Sequence, residues 1–495
     1  MNYTDAIAAQ AALQADAVAV YRPAGNIRWA TLERATQALA QRLWDSGIRP
    51  GTVVAQSLHD EVLSLLAMLA LARIGASSVS LPPHEVAAAK AQVVKNTQAT
   101  VLLREPRVAF VPDLCASELV LSPDDALTEA PAQTAPDPRD PNPQAPCFLV
   151  VGSGTTGTPK IIPISHRIFQ FRTHTMFRQL AMGPADRVAT VSTIDYWVTK
   201  MAWLSALCHG VPVVLMNRAS DLISECRNLQ VSILFLSAVH LELLLKQVKQ
   251  PEERPLNFVR VLNVGGAMLT DALRRRTLKH LCEGLHIPYG TNDLGLATLA
   301  RPEDIRALAG SVGRPVDGVE LQIRDRQGQV LPPGVQGEIW LRSPGMIGAY
   351  HMDPETSARD FQAGWYKPGD LGELDPSGQL IHHGRSDHMM IVNGVNISPA
   401  EIENCLCLHP AVADASALPI HHPVHQHVPV CAVELRAGAA VTEEALKAFS
   451  MSQIGSRTPS RIVILEKMPR NDMGKIRRVE LTRQIAQVLG IPVQS

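Results

Sequence analysis

Aromatic residues are scarce in this sequence, only 4% of 495 positions, and net charge is nearly absent, at −1. Without a basic excess there is no face to neutralise a phosphate backbone, which argues against nucleic acid as a partner. A long apolar run is missing too. The longest, Leu65 to Ala72, stops at Arg73 and is too short to span a bilayer. Met1 to Gln10 lacks the basic-then-apolar order of a secretion signal. The eight cysteines are scattered, apart from the Cys405-x-Cys407 pair, which predicts reduced thiols in a cytoplasmic protein. What remains is a globular composition, 46% apolar and 19% charged, over a length that calls for two or more domains.

Three textures follow along the chain. Helical spacing over Thr31 to Trp44 and Glu61 to Arg73 alternates with short apolar runs at Val53 to Leu58, Val79 to Leu81 and Val101 to Leu103. This predicts a layered α/β domain. Six prolines between 130 and 146 predict an extended connector. The alternation resumes with buried-strand candidates at Cys147 to Val151, Val188 to Ser192, Val211 to Met216, Ile233 to Leu236 and Val259 to Val264. From about 310 to 384, short alternating segments broken by Gly, Pro and Asp predict a small antiparallel β unit. From Pro399 onward, helix (Ala400 to Cys407), strand (Val428 to Leu435), helix (Thr442 to Phe449) and strand (Arg461 to Leu465) predict a compact α+β domain of roughly one hundred residues.

The stretch Val151 to His166, VGSGTTGTPKIIPISH, has the glycine spacing of a Walker loop at Gly152 and Gly157, then departs from it. A Walker loop continues Gly-Lys-Ser/Thr, whereas Pro159 here removes a donor where the helix should begin. Glycines 152, 154 and 157 free the main chain to converge on an anion. Ser153, Thr155, Thr156 and Thr158 add hydroxyls, and Lys160 adds a cation. Alone, the loop also admits the reading of a flexible surface turn, the weaker of the two.

It does not stand alone. NVGGAML (Asn263 to Leu269), YGTNDLG (Tyr289 to Gly295), GRPVDG (Gly313 to Gly318), GWYKPGDLG (Gly364 to Gly372), GRSDHMMIVNGVNISPAEIE (Gly384 to Glu403) and PRNDMGKIRR (Pro469 to Arg478) follow in order. This set resembles the adenylate-forming superfamily of acyl- and aryl-CoA synthetases, peptide-synthetase adenylation domains and luciferases, over nearly the whole chain. The resemblance implies ATP-dependent conversion of a carboxylic acid to acyl-AMP, then transfer to a thiol. It implies a large N-terminal domain over 1–384, a hinge at 385–388 and a small mobile domain over 389–495. Ser153, Gly154, Thr155, Thr156, Gly157 and Lys160 would hold the outer phosphates. Gly265, Gly266, Ala267, Tyr289, Gly290, Thr291 and Asn292 would line the nucleotide. Asp370 would accept the ribose hydroxyls, with Arg385 beside it. Asp387 would be the pivot, and Lys475 would bridge the acid carboxylate and the α-phosphate.

Two departures bear on chemistry. The usual Tyr-Gly-x-Thr-Glu is here Tyr289-Gly290-Thr291-Asn292-Asp293, so the magnesium ligand implied by the resemblance is Asp293, one methylene shorter. In STIDYWVTK, Asp195 counts to the position where acid–CoA ligases carry histidine, although amino-acid-activating domains place an ammonium-binding aspartate nearby. Tyr196 and Trp197 read either as core or, with Asn263 and Gly265, as walls of an acyl or aryl pocket. The run HHPVHQH (His421 to His427) reads as a loop without the ligand spacing of a zinc site. The thiol is expected in trans, from CoA or an acyl carrier protein. A stand-alone amino-acid-activating enzyme, a luciferase-like oxidase and a non-catalytic nucleotide-binding relative are the alternatives.

Overall fold

A computed structural model describes residues 2–490 except 109–110, 112, 126, 128–141, 153–159, 217–220, 249–253, 387–389, 393–394, 398, 423–425 and 472–473. Most of the proline-rich connector, the phosphate-loop residues 153–157 and Asp387 therefore lie outside the described residues.

The helix Glu61–Ile74 explains the architecture of the large domain. Asp60 caps its start by accepting the Leu63 amide at 2.7 Å, and Gly75, at φ 84°, ends it in the left-handed region. Every residue from Val62 to Ile74 is buried. A helix apolar on all sides must be covered on all sides. Its cover is the helices Tyr3–Leu13 and Trp29–Asp45 with the strand Ser77–Ser80, inside a core that two sheets share. The first has six strands in the order Ser117–Val120, Val101–Arg104, Val53–Ser57, Ser77–Ser80, Pro146–Gly152 and Lys160–Ser165, parallel except for the last. The second has nine. Its parallel centre runs Leu285–Thr291, Val261–Gly265, Ile233–Ser237, Val188–Thr190, Val213–Val214 and Val18–Tyr21. Val54 and Ile164 of the first sheet share one apolar core with Val188, Leu234 and Leu262 of the second. The helices Trp29–Asp45, Glu61–Ile74 and Trp197–Cys208 contribute to the same core.

The expected antiparallel unit is a six-stranded sheet built around Gly337–Arg342, Asp370–Leu374 and Leu380–Arg385. The small domain is a five-stranded sheet. Its helices Pro399–Cys407 and Glu443–Ile454 supply Ile402, Leu406 and Leu446 to one core. The helix Arg478–Leu489 supplies Leu481 and Ile485 to a second. The histidine run is not a plain loop. His421 and His422 end the strand Val412–His422 and His427 lies on the paired strand Gln426–Leu435, in register with His421, while 423–425 lie outside the described residues. All eight cysteines are unpaired. Among the described residues, no helix is long and apolar enough to cross a membrane.

One ion pair lies within the helix layer. Arg73, 3% exposed, meets both oxygens of Glu33 at 2.7 and 2.8 Å. Removing one member of a buried pair strands the other charge, at about 3–5 kcal/mol. Glu33→Ala is expected to lower the unfolding free energy of the large domain by that amount. The double variant Glu33→Leu/Arg73→Leu is expected to recover most of it, as read by denaturant titration.

Candidate active site

The strands Ile233–Ser237, Val261–Gly265 and Leu285–Thr291 end at one rim of the nine-stranded sheet. The carboxyl ends of such strands are where open α/β sheets bind ligands. Asn263 is buried in the middle of its strand, Gly265 ends it, and Gly266 and Ala267 bend away after it, Gly266 at φ 85°. The next strand folds back as a hairpin onto Gly295–Ala300. A Cβ on Gly290 would lie 2.2 Å from the Gly295 carbonyl oxygen, so this hairpin closes only with glycine there.

The turn of that hairpin presents Asn292 and the buried Asp293, and a residue not singled out in the sequence fixes it. Arg172, 3% exposed, donates from Nη1 to the Asn292 carbonyl, from Nη2 to the Asp293 carbonyl and from Nε to the Gly345 carbonyl, each at 2.8 Å. Burial pulls its guanidinium down to about 10, against the opposing charge of Asp293. The signal was present: Arg172 lies four residues after Ile168 and three after Phe169, on the buried face of the helix His166–Gln179. The Asp293 carboxylate faces the hydroxyls of Tyr350 and Tyr366.

Asp370 comes from the antiparallel sheet. It is 7% exposed, pairs in register with Arg385 and accepts a 2.7 Å hydrogen bond from the Tyr289 hydroxyl. His382 Nε2 and Arg385 Nη1 each stand 3.7 Å from its oxygens. Arg385 is steadied by donating to the Pro368 carbonyl at 2.6 Å. Burial first, and then Asp370, push the Tyr289 phenol well above its ordinary range, so it stays a donor.

Lys475 arrives from the small domain. Its loop is closed by Asn471, which donates to the Lys475 carbonyl (2.9 Å) and accepts from its amide (2.8 Å). Arg470 ties the loop to the small sheet through Asp414 (2.7 Å) and Glu434 (3.3 Å). Gly474, at φ 77°, meets the large domain directly: a Cβ there would fall 2.0 Å from Val239 Cγ2. The Lys475 side chain stays exposed, yet the protein around it lowers its ammonium below the ordinary lysine value. Arg385 and Arg478 add to this and Asp370 opposes it. Lys475, Arg385 and Asp370, from two domains, thus sense one another's charge at the same rim.

The remaining predicted residues lie to either side. Lys160 opens the strand after the phosphate loop. Its Nζ is 2.6 Å from Asp360 Oδ2 and 3.3 Å from the Tyr350 hydroxyl. Asp195 follows Val188–Thr190, one strand beyond Ile233–Ser237. Burial raises its carboxyl, against the charges of Lys200, His84 and His59. Lys200 is buried beside it, donating to Ser80 Oγ at 2.6 Å and the Asp195 carbonyl at 3.2 Å, and burial lowers it to about 8. Tyr196 caps the next helix. Trp197 packs edge-on against Phe148 (5.6 Å) and Phe169 (6.1 Å) in the shared core.

The fold is shared with known proteins. The indoleacetate–CoA ligase of Aromatoleum aromaticum is 26% identical over 98% of this chain and 99% of its own length. The sulfoacetate–CoA ligase of Cupriavidus necator is 29% identical over 73% of this chain and 72% of its own. The amide bond synthetase McbA of Marinactinospora thermotolerans superposes with a TM-score of 0.88 at 26% identity, over 97% of this chain and 99% of its own. Residues 7–351 match the AMP-binding enzyme family and 401–475 its C-terminal domain, so the chain belongs to the AMP-binding enzyme family.

Proposed function

We propose that this chain is an AMP-forming acid–thiol ligase acting on an uncharged aryl or acyl carboxylic acid, with CoA or a carrier-protein phosphopantetheine as acceptor. The observation that carries the reading is Lys475 and Asp370 facing one rim from opposite domains. A carboxylate oxygen attacks the α-phosphorus of ATP, and the bond to pyrophosphate breaks. Two anions approach each other in that step, so a cation positioned between them contributes most. Lys475 is that cation. Asp370, steadied by Tyr289, has two acceptor oxygens for the ribose diol, and Arg385 supports it. A thiolate sulfur then attacks the acyl carbonyl carbon, and AMP leaves. The pivot for the domain movement between the two steps is Asp387. We place the reaction in the cytoplasm, where ATP and CoA are available.

Asp293 suits a magnesium ion. It offers a hard oxygen, is buried, and is oriented by Tyr350 and Tyr366. Among the described residues no cluster of three or more potential ligands exists, which fits an ion that keeps waters and phosphate oxygens and takes one carboxylate. Asp293 would hold such an ion, whose charge would offset that of the phosphates. Lys160 with the preceding loop receives the outer phosphates.

The acid is read as uncharged apart from its carboxylate because the buried Lys200 ammonium, hydrogen-bonded to the Asp195 carbonyl at 3.2 Å, already acts on the Asp195 charge. An α-ammonium placed there would also meet a like charge. This weighs against amino-acid activation.

Three outcomes are expected. Lys475→Ala should slow acyl-adenylate formation by about a hundredfold or more, while converting a supplied acyl-adenylate to thioester near the parent rate. Because Lys475 acts protonated, adenylation should hold at lower pH and fall as pH rises through the lysine's pKa, below the ordinary 10.5. Any activity kept by Lys475→Arg should lose that alkaline fall. Pyrophosphate exchange across matched acids with and without an α-amino group should favour the acids without one. Exchange confined to α-amino acids would end this reading.

A further inference from the structure

Lys160 follows the phosphate loop, yet its ammonium is already engaged. Asp360 Oδ2 lies 2.6 Å away, the Tyr350 hydroxyl 3.3 Å, and the Tyr350 ring centroid 4.7 Å. Asp360 ends the helix Pro354–Asp360, with its side chain 11% exposed. Its other oxygen accepts from Arg359 Nε at 2.8 Å, and Oδ2 also accepts from the Tyr350 hydroxyl at 2.9 Å. The segment is moored to the loop's own strand by the His351 amide, which donates to the Ile161 carbonyl at 2.8 Å. Burial alone would raise the Asp360 carboxyl. Arg359, Lys160 and Tyr350 outweigh it and hold the group below its ordinary range, as an anion.

A phosphate oxygen that uses Lys160 must share or take the cation from this carboxylate, and the carboxylate repels the phosphate as it approaches. We infer that Asp360 is a positioning residue that competes with phosphate for the Lys160 ammonium and thereby sets how tightly pyrophosphate is held. Tyr350 is the common seat, hydrogen-bonded to both partners, so the cation can exchange between anions with a small movement. If the Lys160–Asp360 pair is closed about nine-tenths of the time, apparent phosphate affinity falls about tenfold. Pyrophosphate is the product that must depart before the thiol step, so a built-in competitor speeds turnover. The inference rests on the reading of Lys160 as a phosphate ligand, and the two are separable.

The experiment uses the full-length protein and inorganic pyrophosphate displacing a fluorescent ATP analogue, with Asp360→Asn, Lys160→Ala and the double variant. Asp360→Asn is expected to bind pyrophosphate about tenfold more tightly, and Lys160→Ala more weakly. The double variant should match Lys160→Ala, since without the cation the carboxylate has nothing to withhold. A purely structural Asp360 would lower the melting temperature without tightening pyrophosphate. If Asp360→Asn folds poorly, Asp360→Thr keeps an oxygen for Tyr350 without the charge and should shift affinity the same way. Affinity unchanged or weakened in a folded Asp360 variant overturns the inference and leaves the phosphate role of Lys160 standing. Parent-like affinity in Lys160→Ala overturns that role, and the inference with it.

Discussion

A helix with no polar side cannot rest on a single sheet. Glu61–Ile74 buries all of Val62 to Ile74, and that requirement brings two sheets together around a shared helical layer. The strand ends that form the rim of the site belong to one of those sheets, and the strand carrying Lys160 belongs to the other. The site is therefore assembled at the margin of a core whose reason for existing is the burial of apolar helices.

Polar groups inside this frame are held by long-range partners. Arg172 joins a helix to a hairpin turn and to the segment at Gly345 through three carbonyls. Asp360 reaches back two hundred positions to Lys160. Lys200, whose charge opposes that of nearby Asp195, reaches the Ser80 hydroxyl on the first sheet at 2.6 Å. In each case a charged side chain is tolerated inside because its hydrogen bonds are met there. Each also fixes a loop that an acid–thiol ligase needs in place.

Much of this was legible in the chain. The ordered motifs carried the two-domain organisation and the reaction, and apolar periodicity placed helices such as Glu61–Ile74 within a residue of their ends. Gly337–Arg342 and Arg461–Leu465 fell where alternation put them. Local pattern does not say which strands are neighbours, so the division into two sheets was not legible. Nor does it say that Trp197 would meet Phe148 and Phe169 in the core. The strand Val412–His422 went unread because Asp414, Pro419 and the His421–His422 end look like loop, although pairing with Gln426–Leu435 satisfies its backbone. The partner of Lys160 was invisible for the same reason: an ion pair between residues so far apart leaves no periodicity.

Gly474 meets the large domain at Val239 with bare backbone, where even a methyl group would collide. The lysine that follows is therefore gauged by main-chain thickness and not by the reach of a side chain. Such a contact works as a mechanical stop: it sets how far the small domain can advance while adding little adhesion. A domain brought up against a stop is registered accurately yet retreats without first breaking a sticky surface, the combination an enzyme needs when one chain must serve two successive reactions.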